Sequence, residues 1–178
     1  LMLDNGMRFG GYIGMPCFGT MLTGDISFKT KAKTQNYDDF IKRYEALSHK
    51  YASDRTPSAK RLVYIDGEEV METIAGLGYK PLFDTKEKFF KIKEEQAGNL
   101  AFGFHIILRD GSADLVWVVK ENGELLLGSP WSLYSRLIIN PDYKIMPPFF
   151  SSYEDLDDIF YIVFKMYEDF KKTMTAIQ

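Results

Sequence analysis

The sequence holds one cysteine, Cys17, and two histidines, His49 and His105. A lone cysteine excludes an intrachain disulfide, and with it the disulfide-built secreted scaffold. Two isolated histidines, with no cysteine at ligand spacing from either, argue against a zinc site. No metal or cofactor is expected. No run approaches the ~20 apolar residues that cross a bilayer as a helix, so no membrane insertion is expected. The balance of charge excludes a further class. Twenty-two basic against 25 acidic residues leave a net charge of −3, whereas a general nucleic-acid binder needs a cationic surplus to neutralise phosphates. The opening segment has only Arg8 before a glycine-broken apolar patch and makes a poor signal peptide. The chain begins with Leu1 rather than Met, which reads as a processing remnant or an expression scar. A reducing cytoplasm is the expected compartment.

Aromatic residues are abundant: 14 Phe, 11 Tyr and 2 Trp among 178 residues, in a chain that is 46% apolar. That composition excludes a disordered chain and supplies a full core for one domain. The centre of the fold is expected between residues 99 and 130. Leu100, Phe102, Phe104, Ile106 and Leu108 alternate with Ala101, Gly103, His105, Ile107 and Arg109, the period of a strand. Asp110-Gly111 then turns the chain. A second strand over 115–120 sets Trp117 and Val119 on one face and Val116 and Val118 on the other. Asn122-Gly123 is a second hairpin signal, and 125–128 returns as a third strand. Further strands are read at 21–28, with Leu22, Ile26 and Phe28 in phase, at 61–65, and at 88–95.

Four amphipathic helices are expected, at about 36–51, 67–77, 130–139 and 152–173. Phe40, Ile41, Tyr44, Leu47 and Tyr51 make the stripe of the first, with Asn36 as its N-cap. Asp66 caps the second, with Glu69 at capping-box spacing; Gly78 suits its end and Pro81 its stop. Ser129-Pro130 starts the third, Ser as N-cap and Pro at the first helical position. Ser151 or Ser152 starts the last, whose apolar middle predicts burial on more than one side. The fold class read from this pattern is α+β: an antiparallel meander of four to six strands packed by helices. The whole chain, 1–178, is read as one domain with a glycine-rich, irregular lead-in over 1–20.

The candidates for chemistry are few. Cys17 and His105 compose a possible nucleophile and base, with Asn140 to orient the imidazole, and give the reading of a small Cys-dependent hydrolase. No nucleophile-elbow glycines surround Cys17. The carboxylates Glu154, Asp155, Asp157 and Asp158 crowd one stretch, but they fall at a helix start, where the helix dipole favours negative charge. Residues 29–61 hold nine basic against four acidic residues, and 154–172 hold six acidic against three basic. Such a basic stripe meets an acidic partner or pairs with the acidic end of its own molecule.

The meander AFGFHIILRDG…LVWVVKENGELLLGSPWSLYSRL, followed by FFSSYEDLDDIF…MYEDFKK, resembles small α+β immunity proteins encoded beside bacterial polymorphic or contact-delivered toxins. The resemblance spans roughly 98–172 and rests on layout. It implies a non-enzymatic protein that binds a cognate protein toxin and blocks its active site. A partner surface is expected at the second hairpin tip and the following short helix. Glu121, Asn122 and Glu124 form the exposed tip, and Trp131, Tyr134 and Arg136 supply the residue types that dominate interface hot spots. Trp131 and Tyr134, three apart, share one helical face, which is either that surface or the face packed on the sheet.

Overall fold

The computed structural model describes residues 37–176. Four α-helices run over Tyr37–Lys50 (α1), Gly67–Gly76 (α2), Trp131–Ile138 (α3) and Tyr153–Ala176 (α4). Six strands run over Pro81–Asp84 (β1), Phe89–Ile92 (β2), Glu95–Ala97 (β3), Leu100–Arg109 (β4), Ser112–Glu121 (β5) and Glu124–Leu127 (β6). The sheet is antiparallel, in the order β1-β2-β4-β5-β6, with the short β3 also paired to β4. The chain is thus an α+β meander packed by helices. The lead-in over 1–20 and the strand expected at 21–28 lie outside the described residues.

Both hairpin turns form as their sequences require. Asp110 and Gly111 take φ of 52° and 69°, and Asn122 and Gly123 take 53° and 85°, the left-handed pair of the turn that matches strand twist. The paired register then fixes the faces. Phe104 opposes Trp117, Phe102 opposes Val119 and Ile106 opposes Leu115, so these side chains share one face. Every helix described lies on that face. Phe40 of α1 meets Trp117 edge-on at 6.2 Å, and Trp131 of α3 meets it at 4.6 Å. Phe164 of α4 lies 4.9 Å from Phe104. Val70 and Ile74 of α2 join the same buried cluster. Burial of these rings and aliphatic chains is the main stabilising term, at roughly 25 cal/mol per Å² of apolar surface.

Ion pairs fasten α1 to α4 along their length. Arg43 Nη1 lies 2.9 Å from Asp169 Oδ2, and at the other end Asp158 takes both the Lys50 ammonium and the Tyr51 hydroxyl. The basic stripe therefore splits: Arg43 and Lys50 hold α4, while Lys42 stays exposed. Its members Lys29, Lys31 and Lys33 lie outside the described residues. Lys171 fastens α4 to the sheet. Its Nζ reaches Glu95 at 2.6 Å and Glu168 at 2.7 Å, above the rings of Tyr79 and Tyr167.

The elements differ from expectation in four places. Residues 61–65 form no strand: Leu62 N–H donates to Phe150 O, a single tie with no ladder. Pro81 does not merely stop α2 but opens β1, an edge position where a missing N–H costs nothing. Residues 88–95 divide into β2 and β3. Pro130 is the N-cap of α3 rather than its first helical residue, and its carbonyl accepts from the N–H groups of Leu133 and Tyr134.

Candidate functional site

Two helix starts meet at one surface. At α2, Asp66 Oδ1 accepts from Glu68 N–H at 2.9 Å, the cap expected of an Asp at that place. At α4, Ser152 Oγ accepts from Asp155 N–H, and Asp155 Oδ2 accepts from the N–H and hydroxyl of Ser151. Asp66 N–H then donates to the Tyr153 hydroxyl at 2.7 Å, and the Thr73 hydroxyl donates to Asp157 Oδ1 at 2.9 Å. These two bonds dock α2, at its N-cap and in its last turn, against the first turns of α4.

The docking brings Asp66, Glu69 and Glu72 of one helix beside Glu154 and Asp157 of the other. The Glu69 carboxyl is pushed above its ordinary range, by partial desolvation first and then by the charges of Asp66, Asp157, Glu154 and Glu72. Among the described residues no ion pair reaches any of the five. Nor do histidine, cysteine and carboxylate side chains gather into a metal-binding group among the described residues. Tyr161, one turn after Asp157, is half-exposed at one end of the acidic strip, and its ring carries the Lys165 ammonium 4.1 Å from its centre. Tyr64, 91% exposed, stands two residues before the Asp66 cap. An acidic strip with the exposed Tyr64 ring nearby attracts a cationic surface and offers it an aromatic contact.

The expected partner residues are placed differently from one another. Trp131 and Tyr134 are 3% and 5% exposed and belong to the core. Trp131 packs against Trp117, Phe40, Tyr134 and Phe170. The Tyr134 hydroxyl accepts from the N–H groups of Gly128 and Ser129, tying α3 to the end of β6. The shared face of this pair is therefore the one packed on the sheet, and as surface residues they are corrected. A short amphipathic helix beside a sheet buries its largest side chains first. Glu121, Asn122 and Glu124 do form the β5–β6 hairpin tip, with Glu121 held by Asn99 Nδ2 at 3.3 Å. Arg136 is exposed, and its Nε donates to Pro141 O.

Of the hydrolase group, Cys17 lies outside the described residues. His105 sits on the sheet face away from the helices, its ring 4.6 Å from that of Phe89. Burial, then the Lys91 and Lys120 charges, push its pKa down to about 4 against the opposing pull of Glu94 and Asp84. The imidazole is neutral at pH 7 and is a weak base there. Asn140 Oδ1 accepts from Asp142 N–H, closing its own turn.

Of the carboxylates at 154–158, Asp155 and Glu154 accept hydrogen bonds at the helix start, which hold the Glu154 carboxyl below its ordinary range, and Asp158 is held by Lys50 and Tyr51; Asp157 and Glu154 also border the strip. What sequence reading misses is the union of the two acidic starts, 84 or more positions apart. One signal was present: no Lys or Arg occurs between Arg61 and Lys80 or between residues 151 and 164. Among the described residues no helix is long and apolar enough to cross a membrane. Comparison of the chain with protein-family models, with curated proteins and with solved structures finds no match.

Proposed function

We propose that this chain is a non-catalytic binding protein of the immunity type, and that its acidic strip between α2 and α4 takes a cationic surface of a cognate protein toxin. The observation that carries the reading is the crowd of five like charges that no ion pair reaches among the described residues. Such repulsion weakens the free protein slightly and is relieved when a basic partner docks, so it favours the complex over the free state. The single cysteine and the absence of a local catalytic signature fit a binding role in a reducing compartment.

The test uses the product of an adjacent toxin-like gene as probe. Association is expected to slow at least tenfold in Glu69→Lys/Glu72→Lys, to lose its salt dependence, and to leave the melting temperature unlowered. Unchanged association in that variant, with loss in a Glu121→Lys/Glu124→Lys variant, moves the surface to the hairpin tip. A hydrolytic activity abolished by Cys17→Ser, with no protein partner, overturns the binding reading in favour of the hydrolase.

A further inference from the structure

The outer edge of the sheet, at β1, shows water two large apolar side chains. Among the described residues no strand pairs with β1 on the side away from β2. Leu82 is 39% exposed and Phe83 40%. They point to opposite faces of the sheet. Phe83 opposes Phe90 of the helix-packed cluster, and Leu82 opposes Lys91 on the other face. A helix laid on either face covers one of the two, whereas a strand laid along the edge covers both. The backbone of β1 is sorted as well. Lys80 O accepts from Lys93 N–H at 2.9 Å, and Asp84 O accepts from Lys88 N–H at 2.8 Å. The even-numbered residues thus spend their backbone groups on β2, and the Pro81 carbonyl and both groups of Phe83 face outward. Pro81 has no N–H to offer there.

We propose that β1 pairs antiparallel with β1 of a second copy of this chain, about a twofold axis at Leu82. Charge selects that register. With Leu82 against Leu82 of the second copy, Lys80 falls opposite Asp84 of the second copy, and the same pair recurs at the other end. Lys80 is exposed and enters no ion pair among the described residues. Phe83 falls opposite Pro81 of the second copy, and its N–H donates to that carbonyl, twice by symmetry. An axis at Phe83 instead sets Leu82 against Asp84 and Lys80 against Lys86, an apolar side chain on a carboxylate and a cation on a cation. An axis at Pro81 sets Leu82 against Lys80 and brings two prolines together with no N–H between them. A twofold pairing uses up this edge on both copies, so growth along it stops at two. An edge of four residues is small against the ~1,200–2,000 Å² of a stable interface, so the pair is weak and concentration-dependent.

The test keeps the full chain. In a Cys17→Ser background, Leu82→Cys becomes the only thiol. Residues directly opposed in a non-hydrogen-bonded pair have Cα atoms about 4.5 Å apart, within the ~4.4–6.8 Å that a disulfide spans. Phe83 and its copy stand on a diagonal, roughly 7–8 Å apart, at or past that limit. Under mild oxidation Leu82→Cys is expected to form the covalent dimer about tenfold faster than Phe83→Cys, or than Met146→Cys at another exposed apolar site. Adding Lys80→Glu is expected to slow that bridging several-fold with the melting temperature unchanged. Sedimentation of the unmutated chain is expected to show monomer and dimer in a concentration-dependent balance, moved toward monomer by Lys80→Glu and by high salt. Equal bridging rates in the three cysteine variants overturn the proposal, and faster bridging of Phe83→Cys overturns its register. An unmutated chain that stays monomeric at about 1 mM also overturns it. Loss of a cognate partner in Leu82→Lys of such a monomer gives the edge to that partner's strand instead.

Discussion

Trp131→Ala separates the two roles open to that residue. The ring is 3% exposed and has four aromatic neighbours, with Trp117 at 4.6 Å and Phe40, Tyr134 and Phe170 at 6.1 to 6.2 Å. Removing a buried Trp costs about 3–5 kcal/mol, through lost transfer energy and the cavity left behind. Ring pairs add roughly 0.5–1.5 kcal/mol each beyond area, which argues for the upper half of that range. For a chain of 178 residues each kcal/mol moves the melting temperature by about 2–4 °C. The expected fall is therefore about 8–20 °C. Urea unfolding followed by far-UV ellipticity should show a lower midpoint with an unchanged slope. Trp131→Phe keeps a ring in place and should lose less than half as much. A melting temperature within about 2 °C of wild type in Trp131→Ala would falsify the placement of this side chain in the core, and lost partner affinity in that variant would return it to the surface.

Two other outcomes are expected. His105 is held below its ordinary value, so the unfolded chain binds its proton first and stability falls as pH drops from 6.5 to about 4. The full contribution is on the order of 3 kcal/mol, and His105→Phe should flatten that part of a plot of unfolding free energy against pH; an imidazole titrating near 6.5 by NMR would refute the sign. Arg43→Asp is expected to cost about 1 kcal/mol by setting like charges against Asp39 and Asp169. Adding Asp169→Arg should recover most of it, and a double-mutant cycle with no coupling would show that the pair does not fasten the helices.

Period and turn chemistry are local, and what they govern was legible. The alternation of residues 100–108 and the Asp-Gly and Asn-Gly turns specify β4, β5 and their hairpin, because strand register follows from the turn and the buried face together. The caps Asp66 and Ser152 and the left-handed Gly78 likewise announce α2 and α4. β1 was not legible, since Pro81 marks a helix end as readily as an edge strand. The fate of Trp131 and Tyr134 was not legible either. Their spacing fixes that they share a face, but which face meets the sheet is decided by Phe40 and Phe170, which come from distant parts of the chain. The acidic strip is illegible for a related reason. Each half has a sufficient local explanation in its own helix dipole, and only the Tyr153 and Thr73 bonds bring the halves together.

The clasp between α1 and α4 joins residues 126 and 108 positions apart. On a ribosome adding 5–20 residues per second, α4 is completed roughly 6–25 s after α1. Through that interval the nascent chain carries Phe104, Trp117 and the stripe of α1 with no final helix to cover them. Such a chain is a natural client for chaperones that hold apolar segments during synthesis. A message truncated before residue 153 would yield a sheet whose aromatic face lacks the cover of Phe164, Tyr167 and Phe170, a species fit for degradation or aggregation. α4 is thus a late closing element, because the sheet face is fully covered only once residues 153–176 have been made.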